Sequence, residues 1–478
     1  MLNWWLILVI IILTLVFITL AAYIVLYFQS PEDGKSTYCG KVIFGLSLLL
    51  SLGGTLLVTY DVADAPDPTV LNTFSKTLNT VLMWEIVLWI IIVKAIVICP
   101  FMMFLYAFRD PEHPKTTKAI IQATLTTLVA VSVFALIVGT CYATVGVSKI
   151  SFQTYEASGQ LMFTSQSGVS LNQTYTTVEP EIKVSFTTYC VGMLSLLGWF
   201  VLLFYCGLGF ISFPINGFFN FKNRIKRINA ADFSERMYVI LAKADALLEL
   251  GKELQREARS YVPLAVKNKI HILRNEVYLL ENEQEYLIWS YTKAGGSPFI
   301  VYGKLLLNVV CFAIVVAWVL HIIVFNLANA DPFLNTLLIA LRNAFGVFGI
   351  LGYSLFALYL YWSTFQGQLV AGLWIFFFNI YPMRPHDTLI HSFLYNGLLM
   401  LIVMPTVLVF AVGSFEGYTA NTSIGGMVNG YIRHLKGISV FLKWVQVVFL
   451  IILLLSMVVT LIYKLVKRKR SRKTISLK

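Results

Sequence analysis

The sequence predicts an all-α polytopic membrane protein with about nine transmembrane helices and a central cytosolic coiled-coil hairpin. The 478 residues are 58% hydrophobic and only 13% charged, whereas a soluble domain usually carries about 25% charged residues. Nine apolar stretches are each long enough to cross a bilayer, which takes about 20 residues. A single long polar segment, 219–297, separates the first five stretches from the last four.

The nine predicted spans follow from a hydropathy window of about 19 residues. The first has no basic region before it and no small-residue cleavage site, so we expect a retained span and not a signal peptide. Pro100, Pro214 and Pro405 are expected to kink their helices. Between the fourth and fifth spans, the Ser-, Thr- and Gln-rich loop 146–183 is expected to form a small lumenal β-cap. The spans are residues 4–28, 41–60, 78–108, 118–145, 184–214, 299–327, 344–378, 388–415 and 438–465.

The central segment 219–297 has the pattern of two paired helices, separated at Pro263, where a helix must stop or bend. Its second half alternates apolar steps of four and three, the heptad spacing of a coiled coil. The chain therefore divides into membrane halves 1–218 and 298–465, the hairpin 219–297 and a basic tail 466–478. The apolar positions are Phe233, Met237, Ile240, Leu241, Ala244, Leu247 and Leu248 in the first arm, and Val266, Ile270, Leu273, Val277, Leu280 and Leu287 in the second.

The distribution of positive charge predicts a lumenal or extracellular N-terminus and a cytosolic C-terminus. In that orientation, most of the 36 lysines and arginines lie on the cytosolic side. The candidate glycosylation sites Asn172 and Asn421 both lie on the other side, where glycans are added. The basic tail is typical of binding to anionic lipid, and a stop-transfer anchor explains it equally well. No nucleic-acid partner is expected, because the basic residues flank apolar spans.

Glu85 and Lys94 are charged residues inside the third span, where ionisable groups indicate a functional site. They are nine residues apart, about 13.5 Å along a helix and on opposite faces, so they cannot pair on one straight helix. A proton or substrate relay is one interpretation. In the other, Lys94 extends toward the interface and Glu85 satisfies a polar neighbour.

Three further groups are candidates for a transport or ligand path. Asp61, Asp64 and Asp67 place three carboxylates near the outer end of the second span, which suits a cation or ligand mouth, although the spacing favours a solvated helix terminus. His321 lies in the sixth span, where one structural hydrogen bond is favoured over a pH switch. His391, in the eighth span, has the same two interpretations.

The sequence indicates no enzyme. It has no nucleophile elbow, Walker loop, zincin motif or carboxylate dyad, and no Cys/His spacing for a metal. We therefore expect neither catalysis nor a metal or cofactor. Cys141 and Cys190 flank the loop 146–183, where a disulfide is conceivable but two buried thiols are favoured.

Several motifs occur in the order and spacing of one known family. Together they resemble the LIMR family of limb-region-like membrane proteins, which includes a lipocalin-interacting membrane receptor and the lysosomal cobalamin exporter. The family pattern at the second span reads Leu-Pro-x-Asp-Val-Ala-Asn; here Thr59 and Tyr60 replace the Pro-containing pair and Asp64 replaces Asn, with Asp61 at the matched position. The motifs are QSPED at 29–33, LLVTYDVAD at 56–64, CPFMMFLY at 99–106, VAWVLHII at 316–323 with DPFLN at 331–335, and YPM at 381–383.

The resemblance implies an N-out protein of the plasma membrane or an endosomal–lysosomal membrane. The first hypothesis is a transporter or transport-accessory protein of an endolysosomal membrane, similar to the cobalamin exporter, with a small-molecule substrate that the sequence does not identify. The alternative is a membrane receptor or trafficking scaffold that binds a cytosolic partner through the hairpin 219–297.

Overall fold

Nine of the described helices are long and apolar enough to cross a membrane, which confirms the predicted all-α polytopic fold. The structure is a computed structural model and describes residues 4–30, 37–64, 79–109, 116–150, 152–156, 174–224, 227–257, 264–292, 297–371, 373–375, 378–380, 383 and 388–476. The first part of the chain contains α1 (Trp4–Phe28), α2 (Tyr38–Asp64), α3 (Thr80–Val93), a π-helical segment (Lys94–Ile98), α4 (Cys99–Ala107), α5 (Thr116–Val145), β1 (Val147–Lys149), β2 (Phe152–Glu156), β3 (Thr174–Val178), β4 (Glu181–Lys183) and α6 (Phe186–Lys222).

The second part begins with the two arms of the hairpin and returns to the membrane at the sixth span. It contains α7 (Ala230–Glu257), α8 (Leu264–Thr292), α9 (Pro298–His321) with a π-helical segment (Ile322–Leu327), α10 (Phe333–Ala344), α11 (Gly346–Ala371), β5 (Leu373–Ile375), β6 (Phe378–Ile380), α12 (Ile390–Ser414), α13 (Glu416–Thr419), α14 (Ser423–Gly425), a π-helical segment (Gly426–Tyr431), a 3-10 turn (Ile432–His434) and α15 (Ile438–Ser476).

Three predicted span ends differ from the structure by four residues or more. The second span continues to Asp64, one turn beyond the predicted end at 60. The fifth span continues as one helix to Lys222, eight residues beyond the predicted end at 214. The seventh ends at Ala371 and not at 378, because the backbone then forms the β5–β6 hairpin, in which Leu373 pairs with Ile380. Apolar composition continues through this hairpin, so hydropathy alone could not separate it from the helix.

The predicted kink at Pro100 coincides with a local change of helix type. A π-helical turn, Lys94–Ile98, precedes Cys99 and Pro100 and divides the third span into α3 and α4. Proline lacks an N–H and its ring clashes with the preceding turn, and a wider turn accommodates both effects. Pro214 and Pro405 lie inside the uninterrupted helices α6 and α12.

The core of the membrane unit is centred on α12, because 89% of its span is buried inside the protein. Only 6% of the α5 span and 22% of the α15 span are buried, so these helices present most of their surface to lipid. Glycine permits close packing of α12 on α2: a Cβ at Gly397 would lie 3.1 Å from the Phe44 ring and 3.4 Å from Ser47. A helix that is apolar on all faces can lie in the centre of the bundle or face lipid, so the sequence alone does not place α12. In the structure it lies at the centre.

One end of the bundle, the capped end, is covered by the described parts of three connecting segments, which are residues 146–150, 152–156 and 174–185 of the first, 328–345 and 415–437. The predicted β-cap is present there as two antiparallel ladders, in which β1 pairs with β4 and β2 with β3. Ser148 also forms an isolated bridge with Leu435, which joins the first segment to the third. The six cysteines are free; Cys141 and Cys190 pack as thiols against one apolar cluster, as favoured from the sequence.

Residues Pro214–Phe312 form a compact unit that contains the hairpin, and the rest of the chain forms the other unit. The arms α7 and α8 run antiparallel, as three contacts show: Phe233 stacks on Tyr291, the Lys243 ammonium lies 3.7 Å from the Glu283 carboxylate, and a Cβ at Gly251 would contact Leu273. The less exposed apolar positions of α7 alternate steps of four and three, which favours a coiled coil; supercoiling stays a prediction. These positions are Phe233, Met237, Ile240, Ala244, Leu247, Gly251 and Leu254.

Three apolar residues predicted for the paired face of the hairpin are exposed instead. Leu241 and Leu248 are 53% and 58% exposed, and Val277 is 38% exposed. Leu241 and Leu248 directly follow Ile240 and Leu247, which pack toward α8. Because adjacent residues of a helix point about 100° apart, the two leucines point away from the packed face. Pro263 lies outside the described residues.

Candidate functional site

Asp61 is fully buried and joins three elements at the capped end. Its Oδ2 accepts a hydrogen bond from the Trp84 indole Nε1 at 3.0 Å and from the Ile424 backbone N–H at 2.9 Å. The residue is 0% exposed and Oδ1 has no hydrogen-bond partner among the described residues. The solvated helix terminus favoured from the sequence is therefore wrong for Asp61. The side chains of Asp64 and Asp67 lie outside the described residues.

Local structure explains how the backbone of α14 reaches Asp61. Thr422 caps this short helix: its hydroxyl accepts from Gly425 N at 2.9 Å and donates to the Thr419 carbonyl at 2.7 Å. A cap of this kind fixes the first turn and leaves the N–H of Ile424, which precedes the capped N–H of Gly425, free for another acceptor. The hydroxyls of Ser423 and Thr80 lie 2.6 Å apart, which ties α14 to the start of α3. Ile424 N thereby points at the carboxylate.

A cavity of about 450 Å³ lies beside this junction, between the start of α3, the start of α6 and residues 423–431. We call it the Glu85 cavity, because Glu85 is the only charged residue among the described residues that line it. Trp84 and Ile424, the two residues bonded to Asp61, form part of its wall. Its full lining is Val81, Trp84, Glu85, Leu88, Ser185, Thr187, Thr188, Ser423, Ile424, Gly426, Met427 and Tyr431.

The lining defines the chemistry that the Glu85 cavity can accommodate. Glu85 is exposed and supplies a carboxylate, while Ser423 and Thr188 supply hydroxyls. Trp84 and Tyr431 supply aromatic rings, and rings of this kind attract organic cations. The set suits a small solute that carries an ammonium or several hydrogen-bond donors. Within the described part of the chain, no three His, Cys, Asp or Glu side chains are grouped to hold a metal ion.

Lys94 is separate from this cavity. It lies in the π-helical turn, is only 4% exposed, and its Nζ has no hydrogen-bond partner among the described residues. It does not line the Glu85 cavity and forms no ion pair with Glu85. Lys94 does not extend to the surface as the second interpretation required, so the buried ammonium needs another explanation, and a relay through Lys94 stays a prediction.

His321 is held by a hydrogen bond inside an aromatic cluster, away from the Glu85 cavity. Its Nε2 lies 2.9 Å from the Ser414 carbonyl, so Nε2 carries a hydrogen and donates it. The ring stacks on Phe325 and Phe415. Asn335 also donates to the Ser414 carbonyl, at 3.1 Å. These donors satisfy the last carbonyl of α12, which is the structural role favoured from the sequence.

Tyr418 lies close to this cluster in the sequence, in α13, outside the membrane spans. Burial raises the pKa of Tyr418 to about 12, and the nearby Arg342 opposes that rise. Its ring stacks against Tyr353. The phenol therefore stays protonated over the physiological pH range and contributes packing to the capped end.

A family model of LMBR1-like membrane proteins matches residues 5–278, more than half of the chain. The chain belongs to the LMBR1-like membrane protein family. Three relatives that match about nine-tenths or more of the chain carry the LIMR family name, which confirms the predicted resemblance. A LIMR family protein of Dictyostelium discoideum is 27% identical over 98% of both chains. LIMR family proteins of Oryza sativa and Arabidopsis thaliana are 24% and 27% identical over 89% and 91% of both chains. No solved structure matches.

In this LMBR1-like protein, the family match includes Asp61, Trp84 and Glu85 but ends before Ile424, the third part of the junction. Sequence reasoning selected Asp61 and Glu85 because they are charged. It missed Trp84, Ser423 and the backbone of Ile424. Only the sequence Thr-Ser-Ile-Gly-Gly at 422–426, a hydroxyl cap before small residues, signalled an ordered turn there.

Of the two candidate glycosylation sites of this LMBR1-like protein, one is described. Asn421 is exposed in the turn between α13 and α14, whereas Asn172 lies outside the described residues. The Ser423 hydroxyl of the Asn421 site bonds to Thr80, so the glycan position would lie next to the Asp61 junction. The side chains of the tail beyond residue 466 also lie outside the described residues.

Proposed function

We propose that this LMBR1-like protein is a transporter or transport-accessory protein that binds a small cationic or amine-bearing solute in the Glu85 cavity. The supporting observation is the exposed Glu85 carboxylate in a cavity of about 450 Å³ whose wall residues Trp84 and Ile424 are fixed by the buried Asp61. Small-molecule sites typically enclose about 300–1,000 Å³. A wall held by buried hydrogen bonds keeps the cavity shaped before the solute arrives.

Glu85 and Asp61 have different proposed roles. Glu85 attracts and orients the positive group of the solute, and the hydroxyls of Thr188 and Ser423 accept its remaining donors. Asp61 is a positioning residue, because its charge is enclosed and bonded to the wall and does not face the cavity. The role is one of binding and translocation without covalent chemistry.

We place the protein in an endosomal or lysosomal membrane, with the capped end toward the lumen. The resemblance to the family supports this location, and the distribution of positive charge supports this orientation. The Glu85 cavity would then collect solute from the lumen. Microscopy of the tagged protein with organelle markers tests the compartment, and protease protection of the hairpin in sealed vesicles tests the orientation.

The decisive experiment has two stages. Metabolites of the purified organelle are compared with and without the protein, and the amine that accumulates is then offered to proteoliposomes that contain the full chain. We expect Glu85→Gln to reduce uptake at least tenfold. Glu181→Gln, which changes another exposed carboxylate of the capped end, should leave uptake unchanged. Equal uptake by the wild type and Glu85→Gln would exclude this role for Glu85.

The hairpin supports a second candidate function, a receptor or trafficking scaffold. Apolar and aromatic side chains remain exposed on both arms although the arms pack together: Tyr238 is 75% exposed, Tyr278 65% and Trp289 46%. Aromatic side chains are enriched in protein interfaces. Proximity labelling with the full-length protein tests this function: Tyr238→Ser and Tyr278→Ser should lose the same cytosolic neighbours, which Glu85→Gln should retain. An identical set of neighbours in all variants would exclude the scaffold.

A further inference from the structure

A second cavity, of about 700 Å³, lies between α6, α12, α15 and residues 426–434. We call it the Trp199 cavity. None of the described residues lines both this cavity and the Glu85 cavity, although residues 426–434 contribute to both walls. The π-helical turn and the 3-10 turn therefore separate two cavities at the capped end.

The inner wall of the Trp199 cavity is aromatic and contains an unused donor. Trp199 is 1% exposed and its ring meets Phe410 edge to face at 5.2 Å. Its Nε1 is buried and has no hydrogen-bond partner among the described residues. Two other buried tryptophans are satisfied: Trp84 donates to Asp61 and Trp318 to the Phe356 carbonyl. Buried indole N–H groups normally find an acceptor, so the unused donor of Trp199 points to a bound group that supplies one.

Charges of both signs line the outer part of the same cavity. The Arg433 guanidinium lies 3.1 Å from the Glu416 carboxylate, so these two charges compensate each other. Lys443 and Glu179 are both exposed and have no ion-pair partner among the described residues. His434 also lines the cavity. Among the Lys, Arg, Asp and Glu residues of the lining, Lys443 and Glu179 therefore remain for a ligand.

We infer that the Trp199 cavity binds a zwitterionic small molecule with an apolar body, whose negative group meets Lys443, whose positive group meets Glu179, and whose apolar body carries an acceptor for Trp199 Nε1. A purely anionic ligand would leave Glu179 unpaired beside it, and a purely cationic ligand would leave Lys443 unpaired. A neutral ligand would use neither charge. The same chemistry occurs in phospholipids with choline or ethanolamine head groups and in free amino acids or short peptides.

Native mass spectrometry of the full-length protein in an uncharged maltoside detergent tests this inference. The probes are decanoyl lysophosphatidylcholine as the lipid zwitterion, a phenylalanine-containing dipeptide as the soluble zwitterion, and decanoyl glycerol as the uncharged match. We expect one of the two zwitterions to bind at least tenfold more tightly than decanoyl glycerol, and the identity of that zwitterion distinguishes a lipid from a soluble source. Binding of decanoyl glycerol as tight as that of both zwitterions, or binding of none of the probes, would overturn the inference.

Variants locate the bound probe. Lys443→Gln and Glu179→Gln should each weaken zwitterion binding about tenfold, and Trp199→Phe, which removes the N–H and keeps an aromatic ring, should weaken it about fivefold. Lys436→Gln and Glu181→Gln change exposed charges of the capped end that do not line this cavity and should have no effect. Lys443 and Glu179 are exposed, so their variants are expected to fold even if Trp199→Phe does not. Unchanged binding in both Lys443→Gln and Glu179→Gln would also overturn the inference.

Discussion

Trp84 donates its indole N–H to the buried Asp61 carboxylate across 3.0 Å, from the start of one span to the end of the preceding one. The same carboxylate oxygen accepts from Ile424, more than 360 residues further along the chain. One carboxyl group thus joins α2, α3 and α14 next to the Glu85 cavity. Buried donors and acceptors are costly to leave unpaired, so this junction is expected to contribute to both stability and cavity shape.

Replacement of Asp61 is expected to destabilise the protein. Asp61→Ala leaves two buried donors, Trp84 Nε1 and Ile424 N, without an acceptor, and each unsatisfied group costs about 1–3 kcal/mol. Thermal unfolding in detergent measures the loss, and Asp61→Asn should show a smaller one because an amide oxygen still accepts. Asp331→Asn, an exposed carboxylate of the capped end, is the control. An unchanged melting temperature in Asp61→Ala would show that the junction is not important for stability.

Replacement of Lys94 by methionine is expected to have the opposite effect on stability. The Lys94 Nζ is buried and has no hydrogen-bond partner in the described part of the chain, and burial of an unsatisfied polar group is costly. Lys94→Met keeps the side-chain length and removes the charge, so it should raise the free energy of unfolding by at least about 1 kcal/mol. The exposed Lys118→Met should change it little. If proteoliposomes that contain Lys94→Met also lose uptake, Lys94 acts in transport. A lower free energy of unfolding in Lys94→Met would contradict the prediction and indicate that the charge has a buried partner.

Hydropathy predicted the spans, and charge predicted Asp61 and Glu85 of the site. The same physical reasons explain why the other residues of the site were not predicted. Apolar length determines where helices cross a bilayer, so all nine spans could be located, seven of them to within four residues at either end. The burial of Asp61 could not be predicted, because it depends on a backbone N–H from residue 424. The exposure of Leu241 and Leu248 depends on where α8 packs against α7, and the sequence of α7 alone does not contain that information.

The backbones of α6 and α11 approach closely at two glycines, so the addition of one methyl group at either glycine is expected to destabilise the protein. A Cβ at Gly209 would collide with the Ser363 carbonyl, and a Cβ at Gly367 would collide with the Tyr205 carbonyl. Overpacking of this kind costs about 1–3 kcal/mol, so Gly209→Ala and Gly367→Ala should lower the melting temperature. Gly139→Ala is the matched control, because nothing lies within 4 Å of its Cβ and alanine is the better helix former. Equal melting temperatures for Gly209→Ala and Gly139→Ala would contradict the close contact.

The hairpin provides a test of which face of α7 is packed. Leu254 and Leu287 are each 4% exposed, whereas Leu248 is 58% exposed. Leu254→Ala and Leu287→Ala should each destabilise the hairpin by about 2–5 kcal/mol, and Leu248→Ala should have almost no effect. Hydrogen exchange of the full-length protein measures the loss of stability, because the α7 and α8 amides should exchange faster in the destabilised variants than in the wild type. Similar exchange in Leu248→Ala and Leu254→Ala would mean that the arms pair through another face.

Asn421 allows the orientation of the capped end to be tested directly. Its side chain is exposed in a turn, and the acceptor sequence Asn-Thr-Ser is complete, so glycosylation is expected if this end faces the lumen. Expression in eukaryotic cells should then give a glycosidase-sensitive band that shifts in Asn421→Gln, with Asn172→Gln removing any second glycan. A new acceptor sequence placed at the exposed Leu248 position of the hairpin should stay unmodified, because the hairpin is predicted to face the cytosol. A glycan on the hairpin together with an unmodified Asn421 would reverse the orientation, and the Glu85 cavity would then open toward the cytosol.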